Sequence, residues 1–437
     1  MFRKTTFFLA AFLAISPIFS QSEGEIEETE IEKSEKIESA ETEEETPKIS
    51  AIKFSGLKKT KEKYLRRILK DFEGKEADED TLKAMESALQ QIQLFEKIDV
   101  AANGSEVEVS VKEKISFLPL PFGAVSNGSP MFGLFIMDTN AFGVQDSFVF
   151  GGLYSPTSMM GFAMFSKQAV DITHPGFSAS LSSSKSTSII ADEEENELFE
   201  YDHIGFGGSL TITEKISKYF SIHAGCGYSY FNADDAEDEY KAWGDEFFGI
   251  DRVQTISPRL SLTLGRSDWN GVFLSQKSLG VGGELLFLDF FNGDGFEKAQ
   301  TASAKLVLQH PVFQKLRLMT SASAFWTHDA PLISWQGGSA ASVSILASNF
   351  ASKRLAGGNA GFEAAVCTTK LGTFSAYALY ECAWYENFLE DIVFSHGPEF
   401  GTKLYLAKIA IPALSFGISY NASQKFWNTN FAFGMQF

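Results

Sequence analysis

Cysteine is scarce in this chain of 437 residues: Cys226, Cys367 and Cys382 are its only three, and they lie far apart. An odd count excludes a fully paired intramolecular disulfide framework, and the spacing is not that of metal ligands, so the thiols read as small apolar strand residues. Basic charge is also short. Thirty-seven Lys and Arg stand against 56 Asp and Glu, a formal net charge of -19, which argues against nucleic acid as a partner. Six histidines, His174, His203, His223, His310, His328 and His396, form no HExxH or paired spacing. No GxSxG elbow, Walker loop or dinucleotide fingerprint is present, so the expectation is no enzyme, no catalytic residue, no cofactor and no metal. A barrel lipase would need a Ser, a His and a carboxylate or amide converging on one face, and nothing marks them. No segment approaches twenty continuous apolar residues, so an exported form that stays in a membrane must do so as a closed barrel rather than by helices.

What the chain has in excess is phenylalanine. Its 42 Phe come with an ordinary mean hydropathy of -0.05. Aromatic enrichment without long apolar runs suits a membrane β-barrel, in which lipid-facing residues alternate with lumen-facing polar ones; a soluble all-β protein is the alternative. The last stretch shows the pattern most clearly. Phe431, Phe433, Met435 and Phe437 recur at period two around Gly434, giving one greasy face and one small or polar face. Exposed to water such a stripe is an aggregation hazard, so it lies against lipid or inside a sandwich.

In chain order, residues 1–20 carry Arg3 and Lys4, an apolar run from Phe7 to Phe19 broken by Pro17, and then small and polar residues. The run is too short to span a bilayer and reads as a cleaved secretory signal; no cysteine follows it, which removes the lipoprotein alternative. Residues 21–48 are dominated by Glu and lack aromatics, and are expected to form a disordered acidic tether. From 49 to 115 the periodicity gives β-α-α-β-β. A strand over Ile49–Phe54 ends at Gly56, and Thr60 is the expected N-cap of a helix through Tyr64, Leu65, Ile68, Leu69 and Phe72. Asp78 or Asp80 caps a second helix carrying Leu82, Met85, Leu89 and Ile92, and two strands flank the Asn103-Gly104 turn.

From Phe117 onward helical periodicity gives way to short alternating runs, such as Leu260, Leu262 and Leu264 against Arg259, Ser261 and Thr263. Strands are expected to begin near Phe117, Met131, Gln145, Ser158, Gly176, Phe199, Lys218, Arg252, Gln276, Lys298, Phe313, Gly358, Gly372, Gly397, Ile411 and Asn428. That is sixteen, an even number as a single-chain bacterial barrel requires. The long links Glu193–Glu197, Asp234–Glu246, Ala330–Gly357 and Glu386–His396 all follow odd-numbered strands. Tight turns at Glu214–Ser217, His310–Pro311 and Thr369–Leu371 follow even-numbered ones. This asymmetry puts both ends of the barrel segment on one side.

The order over 49–115, with Phe54-Ser-Gly56-Leu before the helices, Leu94-Phe95-Glu-Lys-Ile98 after them and Val109-Ser-Val111-Lys-Glu113 at the end, resembles a POTRA domain. POTRA domains are the periplasmic modules of the outer-membrane assembly and secretion superfamily that includes BamA, TamA and the two-partner secretion transporters. Further fragments fall in that superfamily's order. Gly133 to Gly143 resembles its second-strand hairpin, with the turn Asp138-Thr-Asn140-Ala-Phe-Gly143. Gly337-Gly338 and Gly357-Gly358-Asn359-Ala360, leading to Glu363, resemble the ends of its sixth extracellular loop. Leu379-Tyr-Glu381-Cys-Ala383 and Gly397-Pro-Glu-Phe-Gly401 stand where it has strand signatures, and the last strand looks like its C-terminal targeting strand. The family's Val-Arg-Gly-Phe loop tip is missing. After Gly338-Ser339 the chain reads Ala-Ala-Ser342-Val343-Ser344-Ile345-Leu346, and Arg354 is the candidate substitute, pairing with Glu381 in the lumen.

The resemblance implies an all-β membrane protein: a 16-stranded antiparallel transmembrane β-barrel over 116–437, preceded by one POTRA-like domain over 49–115. It implies a bacterial outer-membrane location with the N-terminal domain in the periplasm. The implied partners are unfolded outer-membrane or secreted polypeptides and outer-membrane lipid, with assembly lipoproteins as further candidates. Lys97, Ile98, Asp99 and Val100 would form a sheet edge that accepts a client strand. Phe431, Phe433, Gly434, Met435 and Phe437 would form one side of a barrel seam, where Gly434 leaves backbone underpacked. The function implied is assembly or translocation of client polypeptides; the alternative is a passive channel or structural barrel with a scaffolding POTRA domain.

Overall fold

The computed structural model describes residues 47–126, 129–156, 158–191, 197–234, 252–269, 272–288, 297–330, 334–346, 351–387, 391–408 and 414–433. The expected signal over 1–20 and nearly all of the acidic tether therefore lie outside the described residues.

The first part is an α/β module of β1 (Ala51–Ser55), α1 (Glu62–Ile68), α2 (Glu79–Gln91), β2 (Phe95–Asn103) and β3 (Glu106–Glu113). Strand β1 runs parallel to β3 and β2 antiparallel to it, in the order β1-β3-β2. Alternation does the sorting. Val107, Val109 and Val111 of β3 turn inward onto Leu65, Leu69, Met85 and Leu89, while Glu106 and Glu108 face out. Asp78 caps α2 by accepting the Thr81 N–H at 2.7 Å. Helix α1 differs from expectation: its N-cap is Lys61, with no side-chain cap, because Thr60 is engaged elsewhere.

The second part is a 16-stranded antiparallel sheet. It starts with β4 (Phe117–Ser126), β5 (Ser129–Asp138), β6 (Asp146–Ser155) and β7 (Ser158–Lys167). Six longer strands follow: β8 (Gly176–Ala191), β9 (Glu197–Lys215), β10 (Phe220–Asp234), β11 (Arg252–Trp269), β12 (Leu274–Leu288) and β13 (Glu297–Phe313). The sheet ends with β14 (Leu316–His328), β15 (Arg354–Thr368), β16 (Gly372–Glu386), β17 (Ile392–Leu406), β18 (Leu414–Asn421) and β19 (Phe426–Phe433). Each strand pairs with its chain neighbours, so the sheet order is the chain order. Among the described residues no helix is long and apolar enough to cross a membrane.

The two faces are chemically distinct. In β8, Ser178, Ser180, Ser182, Ser184 and Ser186 share one face, while Phe177 and Leu181 sit exposed on the other. The register carries that apolar face into β9, where Ala179 opposes Leu210 and Phe177 opposes Ile212. Exposed apolar residues continue on it in later strands, including Leu260, Leu262, Leu264, Phe362, Phe400 and Phe416. A polar inner face and an apolar outer one fit a lipid-embedded barrel. Ile115, just before β4, donates its N–H to the carbonyl of Lys408, just after β17, at 2.9 Å, which links the start of the sheet to a strand two from its other end.

Three boundaries correct the sequence reading. His310–Pro311 is not a turn. Strand β13 runs through it to Phe313, with the register shifting between Pro311 and Phe313; a missing proline N–H displaces the ladder without ending it. Gly358 and Gly397, expected as strand starts, lie inside β15 and β17. At Gly397 a Cβ would meet the Tyr420 carbonyl oxygen at 1.8 Å, so this glycine marks close strand approach within a continuous strand.

Candidate functional site

Three sets of residues bear on function: a clasp between the module and the large sheet, a strap on the inner face of that sheet, and the outer strands of the two sheets. The clasp is the turn between β5 and β6. The Asp146 carboxylate, itself fully buried, accepts the N–H groups of Phe142 and Val144 and holds this turn in shape. The turn then grips the module at several points. Asp138 pairs with Lys59, Asn140 donates to the Thr60 hydroxyl at 3.0 Å, and the Gly143 carbonyl accepts the Lys61 N–H at 2.8 Å. Gln145 accepts from the Tyr64 hydroxyl and donates to the carbonyl of Ile92. Gly143 has φ +80, and a Cβ there would lie 2.2 Å from the Lys59 carbonyl oxygen, so only glycine fits.

The module is shaped to receive this grip. The Glu113 carboxylate, from the end of β3, accepts the N–H groups of Lys58, Lys59 and Thr60 at 2.9 to 3.2 Å. Partial burial pushes this carboxyl up, but the backbone N–H groups of Lys58, Thr60 and Lys59 outweigh it and hold it below the usual range. Burial, reinforced by the Asp146 carboxylate, pushes the Tyr64 phenol well above its ordinary value, so it stays a donor to Gln145. Val144 and Val170, from two barrel turns, pack against the module's apolar core.

The strap is the segment after β14. Ala341, Val343, Ile345 and Leu346 bury against Leu355, Ala383 and Tyr385. Its Ser344 donates both its N–H and its hydroxyl to Glu381, at 2.8 and 3.0 Å. Its carbonyls accept from side chains of the last strands. Ser419 reaches the Ser344 oxygen at 2.9 Å, Asn421 reaches Ile345 at 3.0 Å, and Asn428 reaches both Ser344 and Leu346. The strap thus ties β18 and β19 to β16.

The expected Arg354–Glu381 pair is not formed. Arg354 pairs with Glu386 at 3.1 Å, and Ser344 takes Glu381. Register gives the reason. Glu381 lies opposite Asn359, five residues along β15 from Arg354, or about 17 Å at strand rise, beyond the reach of a side chain. Two neutral donors therefore do the work for which a loop arginine had been sought.

A charged cluster was missed altogether. Glu363 of β15 accepts from Arg317 of β14 at 2.7 Å, from Tyr405 and Ser375, and from Lys403 of β17 at 3.4 Å; all three charged residues are buried. The Arg317 guanidinium lies over the Phe273 ring, 4.7 Å from its centroid. The available signal was strand parity: these charges lie on faces expected to point inward.

Of the remaining sequence candidates, Lys97, Ile98, Asp99 and Val100 lie on β2, an outer strand of the module sheet, with Lys97 and Asp99 paired at 2.6 Å. Phe431 and Phe433 lie on β19, opposite Phe416 and Leu414; Gly434, Met435 and Phe437 fall outside the described residues. The sheet order begins at β4 and ends at β19, and no register joins the two among the described residues. Nor do the described residues contain a group of three or more His, Cys, Asp or Glu able to hold a metal ion.

A family model described as POTRA, surface antigen variable number repeat, matches residues 47–115. This module is a POTRA domain. The POTRA domain and the sheet together resemble solved structures at low identity. BamA from Haemophilus ducreyi lacking POTRA domains 1-3 is 14% identical with a TM-score of 0.53, over 89% of this chain and 84% of that one. CdiB from Escherichia coli is 14% identical with a TM-score of 0.56, over 89% and 74%. CdiB from Acinetobacter baumannii is 11% identical with a TM-score of 0.55, over 90% and 74%. At such identities the likeness establishes the fold: a POTRA domain before a 16-stranded antiparallel sheet. No curated protein matches the chain in sequence.

Proposed function

We propose that this chain belongs to the outer-membrane assembly and secretion superfamily and works as a non-enzymatic assembly or translocation factor, its barrel in the outer membrane and its POTRA domain in the periplasm. An extended client segment adds to the edge of β2 at Lys97–Val100, and the seam between β4 and β19 templates client strands. No nucleotide is needed, because strand pairing and folding supply the free energy. The supporting observation is the junction: the turn carrying Asp138, Asn140 and Gly143 fixes the POTRA domain to the hairpin that begins at the seam strand β4. A client held on β2 is thereby held close to that edge. The first strands of the sheet are also short, ten residues in β4 to β7 against 15 to 19 in β8 to β13. Fewer ladder bonds hold such strands, which supports placing an openable edge at β4.

The alternative is a passive channel or structural barrel with a scaffolding POTRA domain, a reading that the missing Val-Arg-Gly-Phe tip favours. The strap docks without the arginine, which weakens that argument. The test is a cysteine crosslink between residues 117–125 and 428–437, with Cys226, Cys367 and Cys382 changed to Ser. Client insertion should stop while the barrel stays folded; unchanged client levels with the seam locked refute the mechanism. Depletion separates the two readings, since broad loss of other outer-membrane proteins supports assembly and an isolated permeability change supports a channel.

A further inference from the structure

The outer wall of the sheet carries a dent across β6, β7 and β8. Register places Gly152 of β6 opposite Gly161 of β7, and Gly161 opposite Ser183 of β8. Ser183 shares the outward face of β8 with Leu181, so these three small residues form a floor where neighbouring outward positions carry large side chains. One row toward the turn between β6 and β7, Tyr154 opposes Met159 and Met159 opposes Lys185. With Phe132 and Ile204 these enclose a cavity of about 750 Å³, well within the size range of small-ligand sites. The floor crosses three strands and is therefore about 10 Å wide. Among the described residues no side chain fills it, and an unfilled apolar dent forfeits dispersion contacts unless another molecule enters.

Lys185 gives the dent a chemical direction. It is an exposed cation beside Met159 and Ile204, one row from the pair Ser155–Ser158 that closes the β6–β7 hairpin. That hairpin end is opposite the one gripping the POTRA domain, so Lys185 lies in the half of the sheet away from that domain. Its nearby acid, Asp202, accepts from the Thr187 hydroxyl at 2.5 Å. A lysine at this level directs its ammonium to the head-group layer, where a phosphate is the complementary group.

We infer that this dent is a binding site for one phosphate-bearing lipid of the leaflet away from the POTRA domain, its acyl chain over Gly152, Gly161 and Ser183 and its phosphate on Lys185. The inference rests on reading the sheet as membrane-spanning. The test is native mass spectrometry of the full chain in detergent micelles, titrated with dioleoylphosphatidic acid or with dioleoylglycerol. The wild type should retain one phosphatidic acid in preference to diacylglycerol. Lys185→Ser should remove that preference, lowering retention of phosphatidic acid about tenfold. Gly161→Leu should weaken both lipids, and it can fold, because the nearest atom to a Cβ at Gly161 is 4.0 Å away. Equal retention of the two lipids by the wild type, or unchanged retention in both variants, overturns the site and leaves the membrane reading intact. A chain that stays monomeric in solution without detergent overturns the membrane reading and the site with it.

Discussion

Asn140 of the barrel donates its side-chain amide to the hydroxyl of Thr60 in the POTRA domain across 3.0 Å, and both residues are buried. The bond joins residues 80 positions apart in the chain, and it lies within the clasp between the POTRA domain and the β5–β6 turn.

Removing either element of that clasp should loosen the domain and spare the sheet. Asn140→Ala leaves the Thr60 hydroxyl and the Gln145 N–H without this partner, weakening docking by about 1–3 kcal/mol. Gly143→Ala should do more, since the Lys59 carbonyl occupies the place of the new methyl. Hydrogen exchange of the Lys59 to Lys61 amides should accelerate in both variants while exchange in β13 and β14 stays unchanged. Equal acceleration everywhere would mean that the variants unfold the whole chain.

Glu363→Gln should destabilise the barrel strongly. It leaves Arg317 and Lys403, two buried cations, without their shared carboxylate, a loss of about 3 kcal/mol or more. A lowered urea midpoint in micelles is the expected readout; an unaltered midpoint would mean that water already screens these charges.

Asn428→Ala removes two hydrogen bonds from β19 to the strap, at about 1 kcal/mol each. Amide exchange in β18 and β19 should quicken before that in β16 or β17, and the seam crosslink should form faster. If β16 exchanges as readily, the strap is not what holds the end of the sheet.

The Glu113 carboxyl makes the POTRA domain sensitive to acid. Its folded pKa lies below its unfolded value because it accepts the Lys58, Thr60 and Lys59 N–H groups despite partial burial. A depressed carboxyl pKa stabilises the fold above the unfolded value of about 4.3, and the contribution is lost as pH falls through the folded value. Asp78, held low by the Thr81 N–H, acts in the same sense. Protection of the Lys58 to Thr60 amides should therefore fade below about pH 4, and Glu113→Gln should already show the weakened protection at neutral pH.

Locally, the amino-acid sequence determined a great deal. Sixteen strands could be counted because the alternation of Leu260, Leu262 and Leu264 with Arg259, Ser261 and Thr263 follows from side chains pointing to opposite sides of one strand. The β-α-α-β-β order and an aspartate cap at Asp78 or Asp80 were legible for the same reason, each depending on residues a few positions apart, and the structure chose Asp78. Tertiary structure alone decided which distant groups meet. Thr60 reads as a helix cap until Glu113 and Asn140, 53 and 80 residues away, take its N–H and hydroxyl. Arg354 reads as the partner of Glu381 until the pairing of β15 with β16 sets them five residues apart and seats Ser344 there instead. Periodicity fixes the face on which a residue lies; only the register between strands, summed around the sheet, fixes which residue it faces, and no short window of sequence contains that sum.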